Sequence, residues 1–174
     1  RDSKQLSIDD FIEISENRIR SMALIHEYLY ESENISFVNF EEYVKRLLSS
    51  IKSSFSGLQV QLETDINEAN FDIETSISLG LIINELVINA YKHAFTGIEN
   101  GVIKIKLINE DGFYHLTIQD NGVGIPANIE NGKSVGLKIV KLLVSQISGT
   151  LTILNDSGAK FVIQFKKITL PNYE

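Results

Sequence analysis

Five polar residues interrupt the most apolar stretch of the chain, and their spacing is that of a helix. Residues 81–95 read L-I-I-N-E-L-V-I-N-A-Y-K-H-A-F, so Asn84, Glu85, Asn89, Lys92 and His93 sit among aliphatic neighbours. Glu85, Asn89 and Lys92 stand at i, i+4 and i+7, which lines them up along one helical face. A carboxylate and a carboxamide on a buried stripe are expensive unless each finds a partner. Such groups either hold a ligand or metal ion, or cap and bridge neighbouring elements of the fold. The helix by itself leaves both readings open.

Two glycine-rich loops offer partners for that stripe. In D-N-G-V-G-I-P, Asp120 to Pro126, Gly122 and Gly124 alternate. Backbone without a Cβ there lets a flat ligand come close, Asp120 supplies a fixed acceptor at a strand end, and Ile125 follows the second glycine. A plain turn has the same composition. Further on, G-K-S-V-G-L, Gly132 to Leu137, leads directly into a predicted helix, whose first amides lack intrahelical acceptors and suit phosphate. The spacing is not that of a Walker loop, G-x-x-x-x-G-K-[ST]. No strand-loop-helix unit carries the Rossmann G-x-G-x-x-G either.

The elements that must position these residues follow from periodicity. Residues 6–31 read as one helix, with Ser7 and Asp10 at its start and no Gly or Pro inside. Ile8, Ile12, Ser15, Ile19, Met22, His26 and Leu29 fall on steps of four and three, a seam at heptad spacing. A seam that narrow, on a helix with no second apolar face, predicts partner helices in a bundle or dimer; the alternative is an amphipathic helix lying on the domain. After Ser32, Glu33 and Asn34, residues 35–38 are β-like. Asn39 and Glu42 form a capping box for a helix to about Phe55, ended by Gly57. Leu58, Val60 and Leu62 alternate with polar residues as in a half-buried strand. Residues 73–95 are apolar nearly all round and predict a core helix. Residues 101–109 and 113–119 flank Glu110, Asp111 and Gly112 as a hairpin. Residues 134–147 predict a helix closing at Gly149, and residues 151–154 and 161–165 flank a second hairpin turn at residues 155–158. Hairpins with helices between them predict an α+β fold, a two-layer sandwich of one mixed, largely antiparallel sheet with helices on one face.

Composition bounds the partners. The 174 residues contain 16 Lys and Arg against 23 Asp and Glu, a net charge of −7, with 43% hydrophobic residues. That is enough apolar material for a core. The long-range field repels nucleic acid and anionic membrane, so any phosphate site must be local. No apolar run reaches the roughly 18 residues of a membrane helix, and no signal peptide opens the chain. Zero Cys removes disulfides, thiolate metal sites and Cys nucleophiles, and fits a reducing cytoplasm. The chain begins at Arg1 and its one Met is Met22, so a fragment or processed product is expected.

Each motif is weak alone, but their order and separation are specific. N-E-L-V-I-N-A-Y-K-H-A-F, then D-N-G-V-G-I-P, then S-V-G-L-K-I-V, then G-A-K-F resembles the ATP-binding domain shared by sensor histidine kinases, gyrase, heat-shock chaperones and mismatch-repair ATPases. Upstream, N-R-I-R-S-M-A-L-I-H-E-Y-L-Y resembles the second dimerisation helix of the histidine kinase branch whose acceptor motif is H-R-x-K-N-N. The resemblance implies three parts: 1–33, the second helix of a dimerisation and phosphotransfer bundle; 35–168, the ATP-binding catalytic domain; and 169–174, a tail.

It also implies roles at matching positions. Asn89 is the side-chain ligand of Mg²⁺, which keeps waters and takes phosphate oxygens for its other places. Glu85 is the catalytic residue, polar or general-base, at the reacting phosphate, with Asn84 beside it and Lys92 and His93 near the phosphates. Asp120 accepts from the adenine amine, and Gly122, Gly124 and Ile125 shape the base pocket. Gly132, Ser134, Val135, Gly136 and Leu137 form a short lid. Where the family often has Gly-Thr, this chain has Gly158 and Ala159, so a hydroxyl near adenine is replaced by water. The implied activity is transfer of the γ-phosphoryl group of Mg·ATP to a histidine, for relay to a response regulator, by a cytoplasmic homodimer. No H-R-x-K-N-N is present, so the acceptor is expected upstream. His26 precedes Glu27, but the Arg, Thr and Pro of other acceptor motifs do not follow, and a seam role fits it better. His115, alternating in a strand, reads as structural. Two other classes share the nucleotide site: a protein-serine kinase of the anti-sigma type, and a nucleotide-gated scaffold that catalyses little.

Overall fold

The structure, a computed structural model, describes residues 12, 15, 16, 19, 22–24, 27, 37–55, 57, 59–67, 69–126 and 135–166. Among the described residues, ten elements follow one another from residue 38: β1 (Val38–Asn39), α1 (Phe40–Ser54), β2 (Val60–Ile66), β3 (Asn70–Phe71), α2 (Ile73–His93), β4 (Gly101–Glu110), β5 (Phe113–Asp120), α3 (Val135–Gln146), β6 (Thr150–Asn155) and β7 (Ala159–Lys166).

Side-chain caps start the first two helices. Asn39 Oδ1 accepts from Glu42 N at 3.1 Å. The Glu42 carboxylate pairs with Arg46 at 2.9 Å instead of reaching back, so the expected reciprocal box is one-sided. Asp72 starts α2, with Oδ1 accepting from Thr75 N at 2.8 Å and Oδ2 from Thr75 Oγ1 at 2.7 Å. On α1, Phe40, Tyr43, Val44, Leu47, Leu48 and Ile51 form the buried stripe of an amphipathic helix. On α2, burial is nearly continuous from Thr75 to Tyr91. Its length and composition would let it cross a membrane, but it lies inside the domain as the core helix.

The five-stranded sheet has the order β2-β4-β5-β7-β6. β2 runs parallel to β4, in register Val60↔Gly101, and the other pairs are antiparallel. Ile103, Ile105 and Leu107 of β4, Leu116 and Ile118 of β5, and Ile163 and Phe165 of β7 are buried in the helical core. The alternate positions include Lys104 and Lys106, paired across the strands with Glu63 at 3.2 Å and Asp65 at 2.9 Å. The expected two-layer sandwich is therefore the observed one. A two-residue ladder, Val38↔Phe71 and Asn39↔Asn70, adds a small second sheet. Two residues beyond α3, Ser148 has φ +53°, and Gly149 N then bonds Val144 O at 2.9 Å. The left-handed residue is thus the serine ahead of the predicted glycine. Gly149 is needed for space, since a Cβ would lie 2.9 Å from Gln164 O.

In the N-terminal segment, the described residues Ile12, Ser15, Glu16, Ile19, Met22, Ala23, Leu24 and Glu27 are helical. Ile12, Ile19 and Met22 of the seam are exposed, by 48%, 67% and 43%, as an unpaired seam would be. Ile8, His26 and Leu29 lie outside the described residues. Leu24, off the seam, packs against the domain core, so this helix also has a domain-facing side that its heptad pattern did not reveal.

Candidate functional site

Three separate stretches meet along α2. Near its middle, Asn84 and Glu85 are buried, with 3% and 6% exposure. Asn89, one turn beyond Glu85, is half-buried, and Lys92 and His93 reach solvent in the last turn, where cations complement the helix dipole. The first turn of α3 closes on this face. A Cβ on Gly136 would lie 3.1 Å from Glu85 Oε2 and 3.5 Å from Asn89 Nδ2. Any larger residue there would crowd the carboxylate, so Gly136 brings α3 backbone against both polar groups. Asn84 Nδ2 is buried with no hydrogen-bond partner among the described residues. Glu85 and Lys92 have partners within the fold.

The second meeting point is at the C-terminal end of α2. Asp120, at the end of β5, is 6% exposed, and its Oδ1 accepts from Gly122 N at 2.8 Å and Ala159 N at 3.1 Å. Among the described residues, no hydrogen bond uses Oδ2. Val123 N bonds the Ala94 carbonyl at 2.9 Å, and a Cβ on Gly122 would collide with that carbonyl. The glycine loop is therefore seated directly on the helix end. Gly158, at φ +133°, lies against the Asp120 carbonyl with no room for a side chain. Its place is fixed by that approach, and Ala159 contributes its backbone amide.

Ala94 and Glu85 are nine residues apart, about 14 Å along a helix rising 1.5 Å per residue. The strip between them has an acceptor at one end and a carboxylate with a carboxamide at the other, so an anionic group could sit beside Glu85 only with a cation between them.

Not every expected residue enters this geometry. Gly132 and Ser134 lie outside the described residues. The Leu137 side chain belongs to the core, and Val135 is half-buried against it, so these two have only backbone to offer. Gly124 adopts φ +79°, and Ile125 is held through its backbone. Two groups had not been singled out as site residues. One is the Ala94 carbonyl, which seats the loop. The other is Asn155, whose Oδ1 accepts from Ile125 N at 2.7 Å and whose Nδ2 donates to Ile125 O at 3.0 Å. In the sequence Asn155 carries only a turn signal.

Among the described residues, no group of three or more His, Cys, Asp or Glu could hold a metal ion. The Asn89 carboxamide beside Glu85 fits magnesium only where phosphate and water supply most of the oxygens, which is the coordination that ion favours.

The chain is similar to known proteins in sequence and in fold. Residues 74–169 match the family described as histidine kinase-, DNA gyrase B- and HSP90-like ATPase, and residues 1–55 match one described as histidine kinase. The sensor histidine kinase PdtaS of Mycolicibacterium smegmatis is 30% identical over 142 residues, covering 79% of this chain and 28% of that protein. The chain thus spans little more than a quarter of that relative's length. An anti-sigma F factor of a Geobacillus species is 32% identical over 85 residues, 49% of this chain and 58% of that one. The histidine kinase domain of the Erythrobacter litoralis EL346 blue-light-activated kinase has the same fold, with a TM-score of 0.79 at 20% identity over 94% of this chain and 76% of that one. The chain belongs to the histidine kinase-, DNA gyrase B- and HSP90-like ATPase family, and within it to the sensor histidine kinases.

Proposed function

We propose that this chain binds Mg·ATP and serves as the catalytic part of a two-component kinase that phosphorylates a histidine. The single observation that carries the proposal is the approach of Gly136 to Glu85 and Asn89 on the same helix that seats the Asp120 loop. Asp120 Oδ2 would accept from the exocyclic amine of adenine, while Gly122, Gly124 and Ile125 form the floor under the ring. Asn89 would hold the magnesium ion, and Glu85 would take or orient the proton of the attacking imidazole. Lys92 and His93, with the first amides of the Gly132 to Leu137 segment, would meet the phosphates and offset developing negative charge. Magnesium, when bound, supplies charge neutralisation across the phosphate oxygens. Asn84 stands beside Glu85 in sequence, its Nδ2 buried without a partner among the described residues.

In this reading residues 1–33 form the second helix of a homodimeric bundle, residues 35–168 the catalytic domain and residues 169–174 a tail. The acceptor is a histidine of that bundle upstream of Arg1, and the phosphoryl group passes on to a response regulator in the cytoplasm. The match to an anti-sigma factor favours a second reading, a protein-serine kinase with the same nucleotide site; the histidine kinase match over residues 1–55 weighs against it. Radiolabelled ATP tests the proposal. The chain alone should bind nucleotide without labelling itself, and a longer protein carrying the bundle should acquire acid-labile label. Acid-stable label on serine would favour the second reading, and binding without any transfer a scaffold. Robust label on His26 would overturn the acceptor assignment.

A further inference from the structure

The turn between β6 and β7 is fastened to the glycine loop more firmly than a turn requires. Asn155 uses both ends of its carboxamide on one backbone unit, accepting from Ile125 N at 2.7 Å and donating to Ile125 O at 3.0 Å. Gly124, just before that unit, has φ +79°, and a Cβ there would lie 2.7 Å from Asn155 Oδ1. The carboxamide thus occupies the space that a side chain at Gly124 would need. Two more bonds hold the same turn to β5: Gln119 Nε2 donates to Asp156 O at 2.8 Å, and Ala159 N donates to Asp120 Oδ1 at 3.1 Å. The loop is held at one end by Ala94 and at the other by Asn155. Asn155 itself is exposed, so it fills no core space and its two bonds are what it contributes.

We propose that Asn155 is a positioning residue for base recognition, fixing the path of Gly122–Ile125 so that the loop presents one surface to the ring. This rests on the nucleotide reading above. Because Asn155 acts through the loop, its loss should weaken recognition of the base rather than the phosphates. Two neutral hydrogen bonds correspond to about a ten-fold loss of affinity.

The experiment compares the 174-residue chain with Asn155→Ala, Gly124→Ala and the double variant. ATP, GTP and inorganic tripolyphosphate are titrated calorimetrically, and amide exchange at Ile125 is followed by NMR. Expected are melting temperatures near wild type for Asn155→Ala, faster exchange at Ile125, about ten-fold weaker ATP binding, a reduced preference for ATP over GTP, and unchanged tripolyphosphate binding. The double variant should lose less than the two single losses combined, since both break one contact. Wild-type ATP binding with equal binding and equal exchange in Asn155→Ala would overturn the positioning role and leave the nucleotide site standing. Equal loss for all three ligands would also overturn it. Failure of the wild-type chain to bind any nucleotide would overturn the nucleotide reading, and this role with it.

Discussion

Replacing Asp120 by asparagine separates the structural duty of this side chain from its proposed recognition duty. Its Oδ1 accepts from two backbone amides, at 2.8 and 3.1 Å. In Asp120→Asn those donors dictate that the carboxamide oxygen takes the Oδ1 position, which sends the NH₂ group to the Oδ2 position. Hydrogen bonds to a charged acceptor are worth about 1.5–3 kcal/mol each and neutral ones about 0.5–1.5. The change therefore weakens the two bonds by about 2 kcal/mol together, much of it offset because a buried charge is no longer desolvated. A net loss near 1 kcal/mol, roughly 2–4 °C in melting temperature for a chain of this size, is expected. Nucleotide binding should change far more. The new NH₂ would oppose the amine of adenine, donor against donor, at about 1–3 kcal/mol for each group left unpaired. ATP affinity should fall by about a hundred-fold, at 1.4 kcal/mol per factor of ten. Guanine carries a carbonyl acceptor at that position, so GTP binding should hold or improve. Asp120→Ala is the blunter probe, because it strands the Gly122 and Ala159 amides as well. Parallel calorimetry with ATP and GTP, with thermal melts as control, is the assay. An unchanged ATP preference would refute the adenine assignment, and equal loss of both nucleotides with a collapsed melt would show that Asp120 serves the fold alone.

Two further substitutions probe other parts of the molecule. Asn89→Ala should remove the magnesium-dependent part of ATP binding while leaving metal-free binding nearly intact; equal losses with and without Mg²⁺ would argue against a ligand role. Tyr43 packs over Gly80 of α2, where a Cβ would collide with its hydroxyl, and that hydroxyl is buried without a partner among the described residues. Tyr43→Phe should be neutral or stabilising by up to about 1 kcal/mol. Burial raises the Tyr43 phenol above its usual range. The stability this represents is full below the unfolded tyrosine value near 10 and falls as pH rises beyond it, so the phenylalanine variant should lose less stability in alkaline melts. A loss above 1 kcal/mol at neutral pH would mean the hydroxyl is bonded.

What the sequence revealed depended on how far each signal repeats. The core helix and the two hairpins announce themselves because alternation or helical spacing persists through elements of six or more residues. Residues 35–38 read as β-like and Val38 does lie in β1, but Asn70–Phe71 is too short for any period, so the pairing that makes the small sheet has no sequence signal. The alternation of Val60 and Leu62 predicts a strand but carries no direction, and its parallel pairing with β4 had to come from the fold. Among the residues that the fold brings together in the candidate site, Glu85, Asn89, Asp120, Gly122 and Gly136 are legible because polar residues and glycines in fixed order are rare in apolar context. Asn155 was not, since an asparagine followed by Asp156 is what any turn shows. Ala94 acts through its carbonyl, which no side-chain pattern encodes.

The parallel neighbours β2 and β4 carry a topological consequence. Antiparallel strands can be joined by a tight turn, but a parallel pair obliges the chain to travel back along the sheet before the next strand is laid down. Residues 67–100 make that return journey, and α2 is most of it. Had β2 been reversed, a few residues would have bridged to β4 and the wall bearing Glu85 and Asn89 would have no reason to exist. The direction of one edge strand thus creates the space in which the polar stripe of α2 can face a ligand.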